Sequence, residues 1–268
     1  MKAMMRLMTE LSSRKFISMM VGKFAKSKYS KPLIPRFAKT YEINVEDAEK
    51  PVHDYASLND FFTRKLKPHL RPIDTDPDTL ISPVDGIITS MGSIQDGQLL
   101  NVKGQDYTIA ELLNGSPRTV NYKDGAYCVL YLSPTDYHRI HVPVDGIIVE
   151  KEYIPGKVYP VNNFGLTHMR QVLSRNERLI TYIQHAHGEV AIVKVGALNV
   201  SSIQYVEPLS TLVQRGQELA YFEFGSTVVL LMEDETVAPR DLHIHSKVHM
   251  GEALGKIKTK KRVNNNEQ

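Results

Sequence analysis

Pro83-Val84-Asp85-Gly86-Ile87-Ile88 returns sixty residues later as Pro143-Val144-Asp145-Gly146-Ile147-Ile148, and this internal repeat decides how the chain is read. A second echo pairs Val213-Gln214-Arg215-Gly216-Gln217-Glu218-Leu219 with Val248-His249-Met250-Gly251-Glu252-Ala253-Leu254, in each case a strand, a turn at glycine and a strand. Around these repeats, from Leu80 onward, Gly, Pro, Asn and Asp clusters cut the chain into short runs rich in Val, Ile and Tyr. Such runs lie at 127–132, 190–195, 200–206 and 227–231, and a helix is expected over 164–173. The fold class expected is mainly β (α+β), a β-sandwich or barrel built on repeated β units and preceded by N-terminal amphipathic helices.

The N-terminal part differs in composition. Residues 1–40 hold ten Lys or Arg against Glu10 alone, a net charge of +9, which leaves −6 on the remaining 228 residues. A basic arm on a mildly acidic body fits a partner with an anionic surface, nucleic acid or lipid. Met4, Leu7, Met8 and Leu11, then Phe16, Ile17, Met20, Val21 and Phe24, recur at helical spacing on either side of Ser12-Ser13. Six of the ten methionines fall in the first twenty residues, and flexible Met suits a lipid surface better than nucleic acid. A stripe packed on the protein's own body is the plain alternative. An organellar transit peptide ranks third, because Lys outnumbers Arg seven to three in this arm. Residues 1–40 are therefore expected to be a membrane-association segment and 41–268 a β-rich domain, with a short helix opening at Ser57. No apolar run reaches the roughly 18 residues of a spanning helix, and the single cysteine, Cys128, fits a β core.

The strand pairs of both repeats resemble those of biotinyl and lipoyl carrier domains, but the lysine that carriers display at a hairpin tip is missing, so the geometry is expected without the carrier function. A more specific resemblance rests on three motifs: Ser82-Pro83-Val84-Asp85-Gly86, Tyr137-His138-Arg139-Ile140-His141 and Phe224-Gly225-Ser226-Thr227. Asp60-Phe61-Phe62-Thr63-Arg64, Val102-Lys103-Gly104, Tyr159-Pro160-Val161-Asn162, Asn176-Glu177-Arg178, Val195-Gly196-Ala197 and Lys247-Val248-His249-Met250-Gly251 join them in order over residues 55–255. Together they resemble the prokaryotic-type phosphatidylserine decarboxylase proenzymes. The commoner signature has Leu where this chain has Phe224, an apolar exchange.

The resemblance implies a chemistry that the residues can rationalise. Decarboxylation of an amino acid leaves an electron pair on Cα that a carbonyl, joined to the substrate amine as a Schiff base, can accept. No lysine stands in a recognisable pyridoxal context, so the chain is expected to make its own carbonyl. It would cut itself between Gly225 and Ser226, giving chains 1–225 and 226–268, with Ser226 becoming a covalent pyruvoyl group, the pyruvate cofactor. The implied processing triad is Asp85, His141 and Ser226, in which His141 takes the hydroxyl proton and Asp85 holds its imidazole. Thr227 is placed to donate to the developing oxyanion. His138 is the expected proton donor in decarboxylation; lying three residues from His141, it needs a turn or bulge to reach the same site.

The implied substrate is phosphatidylserine and the products phosphatidylethanolamine and CO2. The expected partners are an anionic membrane surface and the heterodimer of the two cleavage chains, with a higher oligomer possible and no nucleic acid. The expected place is the cytoplasmic side of a bacterial cell membrane, peripherally bound. Competing readings are a pyruvoyl-dependent decarboxylase of a soluble amino acid, a Ser-His-Asp hydrolase using Ser226, which lacks G-x-S-x-G, and a non-catalytic membrane-bound β module. Asp145 reads as an ordinary Asp-Gly turn. His185 with His187, and His243 with His245, share strand faces but lack a third ligand, so no metal is expected.

Overall fold

The computed structural model describes residues 15–102, 105–161, 169–197, 202–223 and 226–258. In chain order its strands are β1 (Thr79–Ile81), β2 (Gly86–Gln95), β3 (Gln98–Val102), β4 (Gln105–Thr108), β5 (Ala126–Leu132), β6 (Arg139–His141), β7 (Gly146–Ile154) and β8 (Arg178–His185). They continue with β9 (Gly188–Gly196), β10 (Ile203–Tyr205), β11 (Leu212–Val213), β12 (Glu218–Phe222), β13 (Ser226–Met232), β14 (Val237–Pro239), β15 (Lys247–Val248) and β16 (Ala253–Ile257). A ten-stranded sheet runs β11-β7-β8-β9-β13-β5-β2-β3-β4, with β15 also paired to β2. Two three-stranded sheets, β1-β16-β14 and β10-β12-β6, pack against it.

The two sequence repeats are two copies of one structure. β1 pairs β16 through Thr79↔Lys256, Leu80↔Gly255 and Ile81↔Ala253, and β6 pairs β12 through Arg139↔Tyr221, Ile140↔Ala220 and His141↔Glu218, with the register shift at the same step. Val248 lies opposite Gly86 as Val213 lies opposite Gly146. Each glycine is required by close approach: a Cβ on Gly86 would sit 2.7 Å from the Tyr131 carbonyl oxygen, and one on Gly146 2.4 Å from that of Gln184. Gly216 and Gly251 instead have φ of +80° and +94°, where the turn needs a residue without a Cβ. The copies also bond to each other, Ile81 N to Pro143 O at 3.1 Å and His141 N to Pro83 O at 2.8 Å.

The continuous apolar run of β13 follows from burial on both faces. Val228 and Leu230 belong to the core beneath the small sheets; Val229 and Leu231 belong to the core on the opposite face, where Tyr107, Ile109, Leu112, Tyr122 and Leu173 cover the sheet. A third, smaller core around Ile34, Ala38, Tyr55 and Phe61 holds the N-terminal helices.

The mainly β α+β class is as expected, including strands at 126–132, 188–196 and 226–232. Ser57 caps the helix Leu58–Phe62, its side chain accepting from Asp60 N. Of the two N-terminal helices, the second spans Lys15–Lys26; the first falls outside the described residues. Of the helix expected over 164–173, residues 164–168 lie outside the described part, and among the described residues a short helix spans Val172–Arg175. Among the described residues no helix is long and apolar enough to cross a membrane.

Candidate active site

Ser226 opens β13 in the middle of the large sheet, paired to Leu132 of β5 on one side and Gly196 of β9 on the other. Phe224 and Gly225 lie outside the described residues. Next in sequence, Thr227 falls by strand alternation on the face of Val229 and Leu231, and its buried hydroxyl has no hydrogen-bond partner among the described residues.

Leu132, opposite Ser226, is where β5 ends and the histidine-bearing loop begins. That loop is braced by the buried Asp136, whose Oδ2 accepts from both the N–H and the hydroxyl of Ser133 at 2.7 Å. Its far end is tied to the segment that leads to Ser226: Phe222 N donates to His138 O at 3.0 Å, and β6 pairs β12. His138 therefore lies in the loop and His141 on the strand, which is how two histidines three apart both reach this region.

His141 is buried. Its Nδ1 donates to Gly216 O at 2.8 Å, because a carbonyl can only accept. Burial pushes its pKa down, so the ring is neutral and Nε2 carries a lone pair that accepts from the Tyr137 hydroxyl at 3.1 Å. An Nε2 lone pair is the group a general base needs.

The Asp85 carboxylate does not bond to His141. It takes the Arg71 Nε at 2.8 and 3.0 Å and a further contact from Nη2, and its Oδ1 also accepts Met250 N at 2.9 Å. The orienting partner of His141 in this structure is thus the backbone carbonyl of Gly216, while Asp85 holds the turn before Gly251 and is itself held by Arg71. The bond to Asp85 pushes the Arg71 pKa up.

His138 is fully buried, with its ring 4.0 Å from that of Phe62. Nδ1 donates to Asp136 O at 2.9 Å, and Nε2 has no partner among the described residues. Burial lowers its pKa to about 3, with the positive charge of Arg64 acting in the same direction. His138 is therefore neutral and proton-accepting as it stands. Arg64 is itself buried, with Nη2 donating to Thr135 O at 3.2 Å and with Nε and Nη1 unpartnered.

Sequence reasoning passed over Arg71, Tyr137 as a partner of His141, and the carbonyl of Gly216. Tyr137 and Gly216 lay inside quoted motifs, yet a hydroxyl and a carbonyl become visible as ring partners only when the strands are paired. Arg71 sits in a loop without periodicity. Among the described residues, no three His, Cys, Asp or Glu side chains gather as a metal site.

Comparison with known proteins decides the family. The family model described as phosphatidylserine decarboxylase matches residues 58–256. The chain is 43% identical to the phosphatidylserine decarboxylase proenzyme of Halalkalibacterium halodurans over 254 residues, covering 95% of this chain and 98% of the relative. It is 41% identical to those of Bacillus mycoides and Bacillus thuringiensis, in each case over 94% of this chain and 97% of the relative. The chain belongs to the phosphatidylserine decarboxylase family. It is therefore an enzyme of phospholipid biosynthesis, a decarboxylase of a family whose members are made as proenzymes. Membership separates the chain from the serine hydrolases and from non-catalytic β modules.

Proposed function

We propose that this chain decarboxylates phosphatidylserine to phosphatidylethanolamine and CO2, using a pyruvoyl group that it makes from Ser226 by cutting itself after Gly225. The observation that carries the reading is that β5 ends at Leu132, the residue paired with Ser226, and runs into the loop of His138, whose buried Nε2 has no partner among the described residues, and on to the neutral His141. An unpaired buried polar atom is costly, and its persistence there fits a site that receives a reacting group.

In the cutting step the Ser226 hydroxyl attacks the Gly225 carbonyl while His141 Nε2 takes its proton. The C–N bond breaks, and an ester replaces the amide. Removal of the Ser226 Cα proton then expels the Gly225 carboxylate from Cβ, and water converts the resulting dehydroalanine into a ketone with release of ammonia. Thr227 donates to the oxyanion formed in the first step. Arg71 and Asp85 hold the turns that position His141.

Once made, the ketone supplies a carbonyl that condenses with the substrate amine and accepts the electron pair freed with CO2. The protein's own part is to exclude water and move one proton. His138 Nε2 holds the proton that returns to the substrate Cα; an anionic headgroup beside it offsets both burial and Arg64, raising its readiness to be protonated.

The two chains stay together after cutting. Strand β13 is hydrogen-bonded along its length to β5 and β9, and β15 and β16 pair with β2 and β1, all of which lie in the 1–225 chain. A heterodimer held by a central strand follows.

Membrane attachment is assigned to residues 1–40. The helix Lys15–Lys26 and the turn after it expose Met20, Val21, Phe24, Tyr29 and Leu33 among Lys23, Lys28 and Lys31, an amphipathic basic surface suited to anionic lipid on the cytoplasmic side of a bacterial cell membrane.

A denaturing mass spectrum tests the reading. Two chains are expected, 1–225 and 226–268, the second lighter than its sequence by one ammonia; Ser226→Ala should give a single inactive chain. A fully active, uncut wild-type chain would refute it.

A further inference from the structure

Arg64 is a buried cation with hydrogen-bond donors to spare. Its residue is 4% exposed. Among the described residues only Nη2 of its three guanidinium nitrogens finds an acceptor, the Thr135 carbonyl, while Nε and Nη1 are buried without one. A buried cation ordinarily persists only when paired with a carboxylate and fully hydrogen-bonded. The three carboxylates within its electrostatic reach are engaged elsewhere, Asp85 by Arg71 and Met250 N, Asp136 by Ser133, and Asp47 by Asn44. The ring of Phe61 lies 5.3 Å from the guanidinium carbon and supports one face of it.

The location gives this unpaired charge a meaning. Thr135, which holds Arg64, belongs to the loop that leaves β5 at Leu132, directly opposite Ser226. The same loop carries His138, whose Nε2 is also unpartnered. We propose that Arg64 is the anion-binding group of the substrate site, its free N–H groups receiving anionic oxygens of the aminophospholipid headgroup, from the carboxylate or the phosphate. This rests on the decarboxylase reading above and adds to it the residue that selects an anionic headgroup and places it beside His138. Guanidinium suits the task because it stays charged when buried and presents donors in a fixed plane.

The test uses the full chain with Ser226→Ala, in which no turnover competes with binding. Glycerophosphoserine, glycerophosphoethanolamine and free serine are titrated calorimetrically into this chain and into the same chain carrying Arg64→Met. Affinity should fall at least tenfold for those probes that carry the anion Arg64 holds: the first two if it is the phosphate, the first and third if it is the carboxylate. The melting temperature of the ligand-free chain should rise with Arg64→Met, since an unpaired buried cation is removed; a purely structural arginine would give a fall. If the Met variant does not fold, Arg64→Lys, which keeps the charge but not the donor geometry, should show the same pattern of weakening. Absence of binding to the parent chain, or affinities unchanged by substitution, overturns the proposal. In the otherwise wild-type enzyme Arg64→Met should raise KM for phosphatidylserine vesicles at least tenfold. A wild-type enzyme with no decarboxylase activity would remove the functional reading, while the headgroup titrations would still judge Arg64.

Discussion

Asp85→Asn separates two duties that the structure assigns to one side chain. Asparagine keeps an oxygen able to accept Met250 N, so the turn before Gly251 retains its bond, but the charge that faces Arg71 is lost. Removing one partner of a fully buried ion pair costs about 3–5 kcal/mol. The Arg71 side chain is 19% exposed and regains part of its hydration, so a cost below that range, about 2–3 kcal/mol, is expected here. For a chain of this size that is a fall of roughly 5–10 °C in melting temperature. The measurement belongs in the Ser226→Ala background, where every variant is a single uncut chain. Arg71→Gln should cost a similar amount, and the double variant markedly less than the two together, because each single change already dissolves the same pair. In the cutting-competent chain Asp85→Asn should also slow the appearance of the 226–268 fragment. A melting temperature within a degree of the parent, or strictly additive costs in the double variant, would show that the Arg71 contact does not anchor Asp85.

Three further outcomes are expected. His138 is pushed from 6.5 to about 3 by burial, so between these values the unfolded chain binds a proton that the folded chain refuses; stability present above pH 6.5 is lost on acidification, by about 2 kcal/mol at pH 5. His138→Gln should flatten that loss between pH 7.5 and 5 in thermal melts, and an unchanged pH profile would count against the buried neutral imidazole. The buried Glu223, two residues before Gly225, accepts Lys26 of the N-terminal helix at 2.7 Å, so Lys26→Glu should slow self-cutting and the swap Lys26→Glu with Glu223→Lys should restore part of it; equal cutting rates in all three would mean that the helix does not position the cleavage segment. Replacing Lys23, Lys28 and Lys31 by Gln removes about 1 kcal/mol of attraction to anionic lipid per residue, which should weaken sedimentation with phosphatidylserine vesicles about a hundredfold at low salt; binding indifferent to both salt and substitution would refute an electrostatic attachment.

What the sequence disclosed and what it withheld divide along a physical line. Strands buried on both faces, as in Val228–Leu231, are visible as apolar runs, and turns that need glycine, as at Gly216 and Gly251, are visible as repeats. Partners that arise only from packing are not visible: the carbonyl of Gly216 against His141, the loop residue Arg71 against Asp85, and the carbonyl of Thr135 against the buried Arg64 all depend on chain segments distant in sequence meeting in the fold. The short helix Val172–Arg175 exists because Val172 and Leu173 enter the core beside Ile109 and Leu112, a contact between distant segments.

The duplication itself shows which features of the site are scaffold and which are chemistry. By strand register, Asp145, Ile81 and Gly188 occupy the positions that Asp85, His141 and Ser226 occupy in the other copy. Asp145 accepts Arg215 N at 2.7 Å as Asp85 accepts Met250 N, so bracing the glycine turn is a duty of the fold, and both copies perform it. The second copy has neither the imidazole nor the hydroxyl, and its aspartate is exposed rather than buried. A side chain retained in both corners is explained by architecture. The burial of Asp85 and its clasp by Arg71 are not, because the equivalent turn closes without them. Those two features accompany His141 and Ser226 alone, which is why a substitution that spares the turn bond and removes only the charge is the right probe of the first corner's chemistry.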